Sequence, residues 1–91
     1  MAWKIKYLKS IQKDLKKINK IEQRKIQNYL EENIAKSTDP RKFGKALKGK
    51  YSEFWRYRVG QYRIICEISD DEITILVVRI GHRKDVYRNK T

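Results

Sequence analysis

Along the first 36 residues the spacing of hydrophobic positions changes once. Trp3, Ile5 and Tyr7 alternate with Lys4 and Lys6, which is strand periodicity and predicts a short strand over residues 1–8. Leu8, Ile11, Leu15 and Ile18 then recur at spacings of 3, 4 and 3, an apolar stripe along one side of a helix, with Ser10 as the predicted N-cap. Asn19 followed by Glu22 has the form of a capping box that restarts a helix. Ile26, Leu30 and Ile34, with Tyr29 on the flank, carry the second helix to near Lys36, where Ser37-Thr38-Asp39-Pro40 stops it. The two stripes predict a helical hairpin lying on a sheet, with its lysines outward. A basic helix of the membrane-binding or calmodulin-target kind is the weaker reading, because sheet packing already accounts for the stripe.

Residues 41–52 form a basic connector in which Phe43 and Leu47 are candidate anchors. Beyond it the period switches to two. Residues 53–59, 62–68 and 73–80 read as three strands, the last apolar on both faces and therefore placed centrally in the sheet. Gly60-Gln61 is a two-residue hairpin loop, which sets Val59 opposite Tyr62, Arg58 opposite Arg63 and Tyr57 opposite Ile64. The predicted fold class is α+β: an N-terminal strand, then a two-helix hairpin packed on an antiparallel-rich sheet with three C-terminal strands, in one domain over residues 1–91.

Charge refines this picture. The 91 residues include 23 Lys and Arg against 11 Asp and Glu, a net +12, so the expected partner is anionic. Residues 1–50 hold 13 Lys and 2 Arg against 5 acidic residues, whereas residues 51–91 hold 2 Lys and 6 Arg against 6. Lysine is a strongly hydrated point charge, while arginine presents a planar fork that matches a phosphate. Net charge therefore marks the first half, and residue type marks the second. The predicted hairpin puts Arg56, Arg58 and Arg63 on one sheet face, away from Trp55, Tyr57, Val59, Tyr62, Ile64 and Cys66. Like charges directly opposite each other on a sheet cost up to about 1 kcal/mol, so three arginines converging there suggest an anion site. Gly81 is predicted to turn the chain and bring His82, Arg83 and Tyr87 to the same end of the sheet.

Several classes of function are excluded. One Cys and one His cannot build an internal disulfide or a zinc site. No apolar run approaches a membrane span of about 20 residues, and the lysines of residues 1–8 interrupt any signal-peptide core, so the cytosol is the expected compartment. No carboxylate pair is apparent for glycoside chemistry. RNA cleavage needs less, since the substrate's own 2′-OH is the nucleophile. Arginines would stabilise the phosphorane-like transition state. His82 and Tyr87 are the side chains able to move a proton, because Arg stays protonated below a pKa of about 12.

The run ALKGKYSEFWRYRVGQYRIICEI, and a later strand ending in IGHRKDVYR, resemble the RelE/ParE superfamily of toxin–antitoxin toxins, and its RelE branch in particular. The resemblance extends over essentially the whole chain. It implies a small basic toxin that enters the ribosomal A site and cleaves mRNA without a metal or other cofactor, and that a cognate antitoxin holds inactive. Arg56 and Arg58 fall where the family has paired basic strand residues. Arg63 matches its transition-state arginine, and Arg83 its leaving-group acid or phosphate ligand. Tyr87 matches the C-terminal tyrosine that acts as base or stacks on a base, and His82 belongs to a GHR form seen in many members. Lys45, Lys48, Lys50, Lys84 and Arg88 are the expected RNA-backbone contacts. The expected partners are the ribosome, mRNA and an antitoxin with an acidic toxin-binding segment, in a toxin–antitoxin hetero-oligomer away from any membrane. Two other readings stay open: a ParE-type gyrase inhibitor without nuclease activity, and a nucleic-acid-binding domain without catalysis.

Overall fold

The computed structural model describes residues 2–82. Its sheet contains five strands: β1 (Lys4–Tyr7), β2 (Lys45–Ala46), β3 (Phe54–Val59), β4 (Tyr62–Ser69) and β5 (Thr74–His82). Their spatial order is β1-β5-β4-β3-β2. β1 runs parallel to β5, and every other pairing is antiparallel. β5 is interior, as its double-sided apolar sequence predicts, although β4 is the middle strand.

Two helices, α1 (Ile11–Lys16) and α2 (Lys20–Asn28), cover one face of the sheet. Of the first stripe, Ile11 and Ile18 are buried while Leu8 stays exposed. Ser10 occupies the N-cap position of α1 but makes no side-chain capping bond. Its ψ of −12° is already helical, and a capping acceptor needs an extended residue to reach back to the free N–H groups. Asn19 has that geometry, with ψ 158°, and its Oδ1 accepts from the Glu22 N–H at 2.9 Å. Gln23 closes the junction from the other side, its Nε2 donating to the carbonyls of Leu15 and Ile18 at 2.8 and 2.7 Å.

The second helix does not run as a uniform α-helix to Lys36. Residues Tyr29–Ile34 form a π-helical segment in which the Ala35 N–H donates to the Leu30 carbonyl at 2.8 Å. The wider turn keeps Leu30, Ile34 and Ala35 buried together and leaves the Ala35 carbonyl to accept from the Trp3 N–H at 2.6 Å. The core comprises Ile11, Ile18, Ile26, Leu30 and Ile34 from the helical layer and Tyr57, Ile64, Cys66, Ile75, Val77 and Ile80 from the sheet.

Two irregularities shape β5. Its register with β4 shifts between Ile65 and Cys66, so Ile65 faces Arg79 while Cys66 faces Val77. Val78 is the extra residue, a β-bulge that reverses the alternation of every later position on the strand. β1 also stops at Tyr7, opposite Val77, and beyond that point the outer edge of β5 has no strand partner among the described residues. There the Asp14 carboxylate on α1 accepts the Ile80 N–H at 3.0 Å, satisfying a donor that the sheet leaves open.

Candidate anion-binding face

The side of the sheet away from the helices is assembled by pairing register. The hairpin has the predicted pairs: Val59 with Tyr62, Arg58 with Arg63 and Tyr57 with Ile64. Gly60 has φ +59° and Gln61 is not in the positive-φ region, as a type II′ turn requires of its first central residue. Paired residues share a face. Lys45, Arg56, Ile65 and Arg79 therefore form one row across β2 to β5, and Arg58, Arg63 and Gly81 form the next. Ile65 is only 7% exposed although it lies on this side. The aliphatic stems of long neighbouring cations are the natural cover for such a residue.

A cleft of about 240 Å³ opens on this face, lined by Gly44, Lys45, Arg56, Arg58 and Arg63. Among the described residues, four cations line it and no carboxylate does. The residues that bring Lys45 to the cleft belong to the basic connector, which forms β2 and runs as a strap along β3. Pairing of β2 with β3 holds Lys45 opposite Arg56 and Ala46 opposite Trp55. The indole N–H of Trp55 donates to the Phe43 carbonyl, and the buried Tyr57 hydroxyl donates to the Pro40 carbonyl at 2.8 Å. Burial raises the Tyr57 pKa above the ordinary tyrosine value, so this donor keeps its proton. Arg41 adds a two-pronged bond to Asp70 in the β4–β5 turn, with both N–O distances 3.0 Å. That bond lowers the Asp70 pKa below its ordinary value and raises that of Arg41. Gly44 makes the close approach possible: its φ is +75°, and a Cβ there would sit 2.1 Å from the Arg56 carbonyl oxygen. Of the two predicted anchors, Phe43 packs against the core and Leu47 is half-buried outside it.

The other predicted site residues are placed differently. Lys48 and Lys50 are exposed at the short 3₁₀ turn that follows β2, with the Lys50 ammonium 5.4 Å from the Tyr51 ring centroid. They do not line the cleft. Gly81 does not turn the chain, because β5 continues through it to His82. His82 pairs with Tyr62, the two rings meeting edge-on at 5.9 Å. Tyr62 shares the helix-side face, so the register sets His82 across the sheet from Arg63, contrary to the expectation that it joins the arginines. Arg83, Lys84, Tyr87 and Arg88 lie outside the described residues. Among the described residues, no cluster of three or more His, Cys, Asp or Glu side chains is placed to hold a metal ion. No helix among the described residues is long and apolar enough to cross a membrane.

Comparison with known proteins agrees with this architecture. The sequence model of the family described as "ParE toxin of type II toxin-antitoxin system, parDE" matches residues 5–87. The chain belongs to the RelE/ParE toxin superfamily. Within it, the chain is 36% identical over 86 residues to Toxin RelE3 of Methanocaldococcus jannaschii, covering 92% of this chain and 94% of that protein. It is 35% identical over 52 residues to Toxin RelG of Mycobacterium tuberculosis, a match that spans 57% of this chain and 60% of that toxin's length. A RelB–RelE antitoxin–toxin complex from Methanococcus jannaschii contains a chain of the same fold, with a TM-score of 0.70 and 30% identity over 94% of this chain and 99% of that one. The RelE-like α+β fold read from the sequence is therefore the fold of the family.

Proposed function

We propose that this RelE-family toxin is an endoribonuclease that cleaves mRNA in the ribosomal A site. The observation that carries the reading is the cleft itself: Lys45, Arg56, Arg58 and Arg63 converge in a register that brings like charges together. A row of guanidinium forks on one sheet face matches the phosphates of an RNA strand. In the proposed reaction the 2′-oxygen bonds to the adjacent phosphorus, the bond from phosphorus to the 5′-oxygen breaks, and a cyclic 2′,3′-phosphate and a 5′-hydroxyl result. One proton leaves the 2′-OH and one reaches the leaving 5′-oxygen. Arg56, Arg58 and Arg63 would hold the extra negative charge of the transition state. The loss of one such donor typically costs about 10²–10³ in rate. Tyr87 would take the first proton or stack on a base, and Arg83 would serve the leaving oxygen. With its ring against Tyr62 on the helix side, His82 has at most an auxiliary part. The lysines of the helices and connector would contact ribosomal RNA, making association strongly salt-dependent. The proposed inhibitor is a cognate antitoxin whose acidic segment covers the arginine face or the helices, a pairing supported by the RelB–RelE complex of the Methanococcus relative. The site of action is the cytosol, where translated mRNA is found.

The test is to induce the chain in cells and map mRNA ends on translating ribosomes. Cleavage at A-site codons is expected, and its loss in an Arg63→Ala, Arg83→Ala double variant. Undiminished cleavage in that variant would overturn the site assignment. A second reading draws on the family model, whose description is that of ParE toxins: inhibition of DNA gyrase by protein contact. It predicts blocked supercoiling with intact mRNA, and indifference to substitution of Tyr87. A plain binding domain would cut nothing and inhibit no enzyme.

A further inference from the structure

The bulge at Val78 has a chemical consequence. It moves Arg79 to the side of Arg56 and Arg63, in the row Arg56–Ile65–Arg79. Arg79 does not line the cleft. It stands diagonal to Arg63 across one strand spacing, on the flank away from β3, where diagonal neighbours lie about 7–8 Å apart. Its Nε is buried without a hydrogen-bond partner. A guanidinium donor withdrawn from water with no acceptor is costly, and an oxyanion is the acceptor that matches its fork.

We propose that Arg79 forms a second phosphate subsite, taking the backbone phosphate next to the one held by Arg56, Arg58 and Arg63. This deepens the nuclease reading and rests on it: the substrate is recognised as a strand with consecutive phosphates, not as a lone phosphate ester. The strand crosses the sheet from β3 towards β5. Arg79 is a binding residue in this scheme and moves no proton.

The test compares two probes on the full chain, a short 2′-O-methyl oligouridylate that cannot be cleaved and uridine 3′-monophosphate. For Arg79→Met, which keeps an apolar stem over Ile65, oligonucleotide affinity should fall by about tenfold. The slope of log affinity against log salt should shrink by about 0.7, the single-strand value for one phosphate contact. Mononucleotide affinity should change by less than about twofold, since one phosphate occupies the main cleft. Arg79→Lys should restore most of the slope, which a purely structural role would not produce. Equal oligonucleotide affinity and slope in wild type and Arg79→Met, while Arg63→Ala lowers both, would overturn the subsite alone. Failure of the wild-type chain to bind the oligonucleotide would overturn the subsite, whereas the nuclease reading falls only if no cleavage at A-site codons is found on translating ribosomes.

Discussion

On the helix side of the sheet, Tyr57, Ile64, Cys66, Ile75 and Val77 are fully buried, and Ile80 is 3% exposed. On the other side, the same three strands present Arg56, Arg58, Arg63 and Arg79, two of which face each other directly. Adjacent residues of one strand therefore obey opposite rules. Ile64 adds stability by leaving water, while Arg63, one position earlier, brings its charge close to Arg58. A sheet that needed only a solvated outer face would be served by the mixed-sign pairs common on such surfaces. Under the proposed anion-binding role, clustering one sign there gives up some folding stability for affinity towards a phosphate-bearing partner.

Substitutions on the two faces should differ in sign as well as size. Ile64→Ala opens a cavity beneath the helices and should lower unfolding free energy by about 2–5 kcal/mol in denaturant titrations. A loss under 1 kcal/mol would mean that the layers repack freely. Arg58→Gln removes one of two opposed cations and should raise stability by a few tenths to about 1 kcal/mol at low salt, with the gain shrinking as salt screens the pair. A destabilised Arg58→Gln protein would show that the arginine face is held together by its own contacts, and the contrast between the faces would disappear.

The smallest effect concerns pH. Burial, with the Glu31 carboxylate 3.4 Å away as the lesser cause, raises the Tyr7 hydroxyl from 10.0 to about 12. A group whose pKa is raised on folding contributes stability that is complete below the unfolded value and lost as pH climbs through the folded one. Alkaline unfolding curves should therefore steepen between pH 10 and 12, and Tyr7→Phe should flatten that portion. An unchanged slope would remove Tyr7 from the account.

Much of this was legible in the sequence because it is local. The strand and helix periods of residues 3–34 identify a two-layer fold, and Asn19 with Glu22 marks a helix start that the structure places there. Ser10 had the right chemistry but a helical backbone, and composition does not report a dihedral angle. The π-helical segment at Tyr29–Ile34 preserves the buried character of Leu30 and Ile34, so the hydrophobic pattern contains no trace of it. The Gly44 strap resembled an ordinary basic linker, because its anchors, Asp70, Tyr57 and Trp55, lie far along the chain.

The arginine face shows where the division falls. Gly60-Gln61 is a two-residue loop, and a loop of that length fixes the pairing of its flanking strands. Arg58 opposite Arg63 therefore follows from about eight consecutive residues, without tertiary information. Arg79 and His82 follow from no such local rule. On a strand apolar on both faces, alternation does not say which side a residue takes, and one bulged residue exchanges the sides. The bulge lies where β5 stays paired with β4 along one edge but passes the end of β1 on the other, and where Asp14 of α1 takes the Ile80 N–H. Those constraints come from three separate segments. Only their assembly decided that Arg79 joins the arginines and that His82 turns to the helix side.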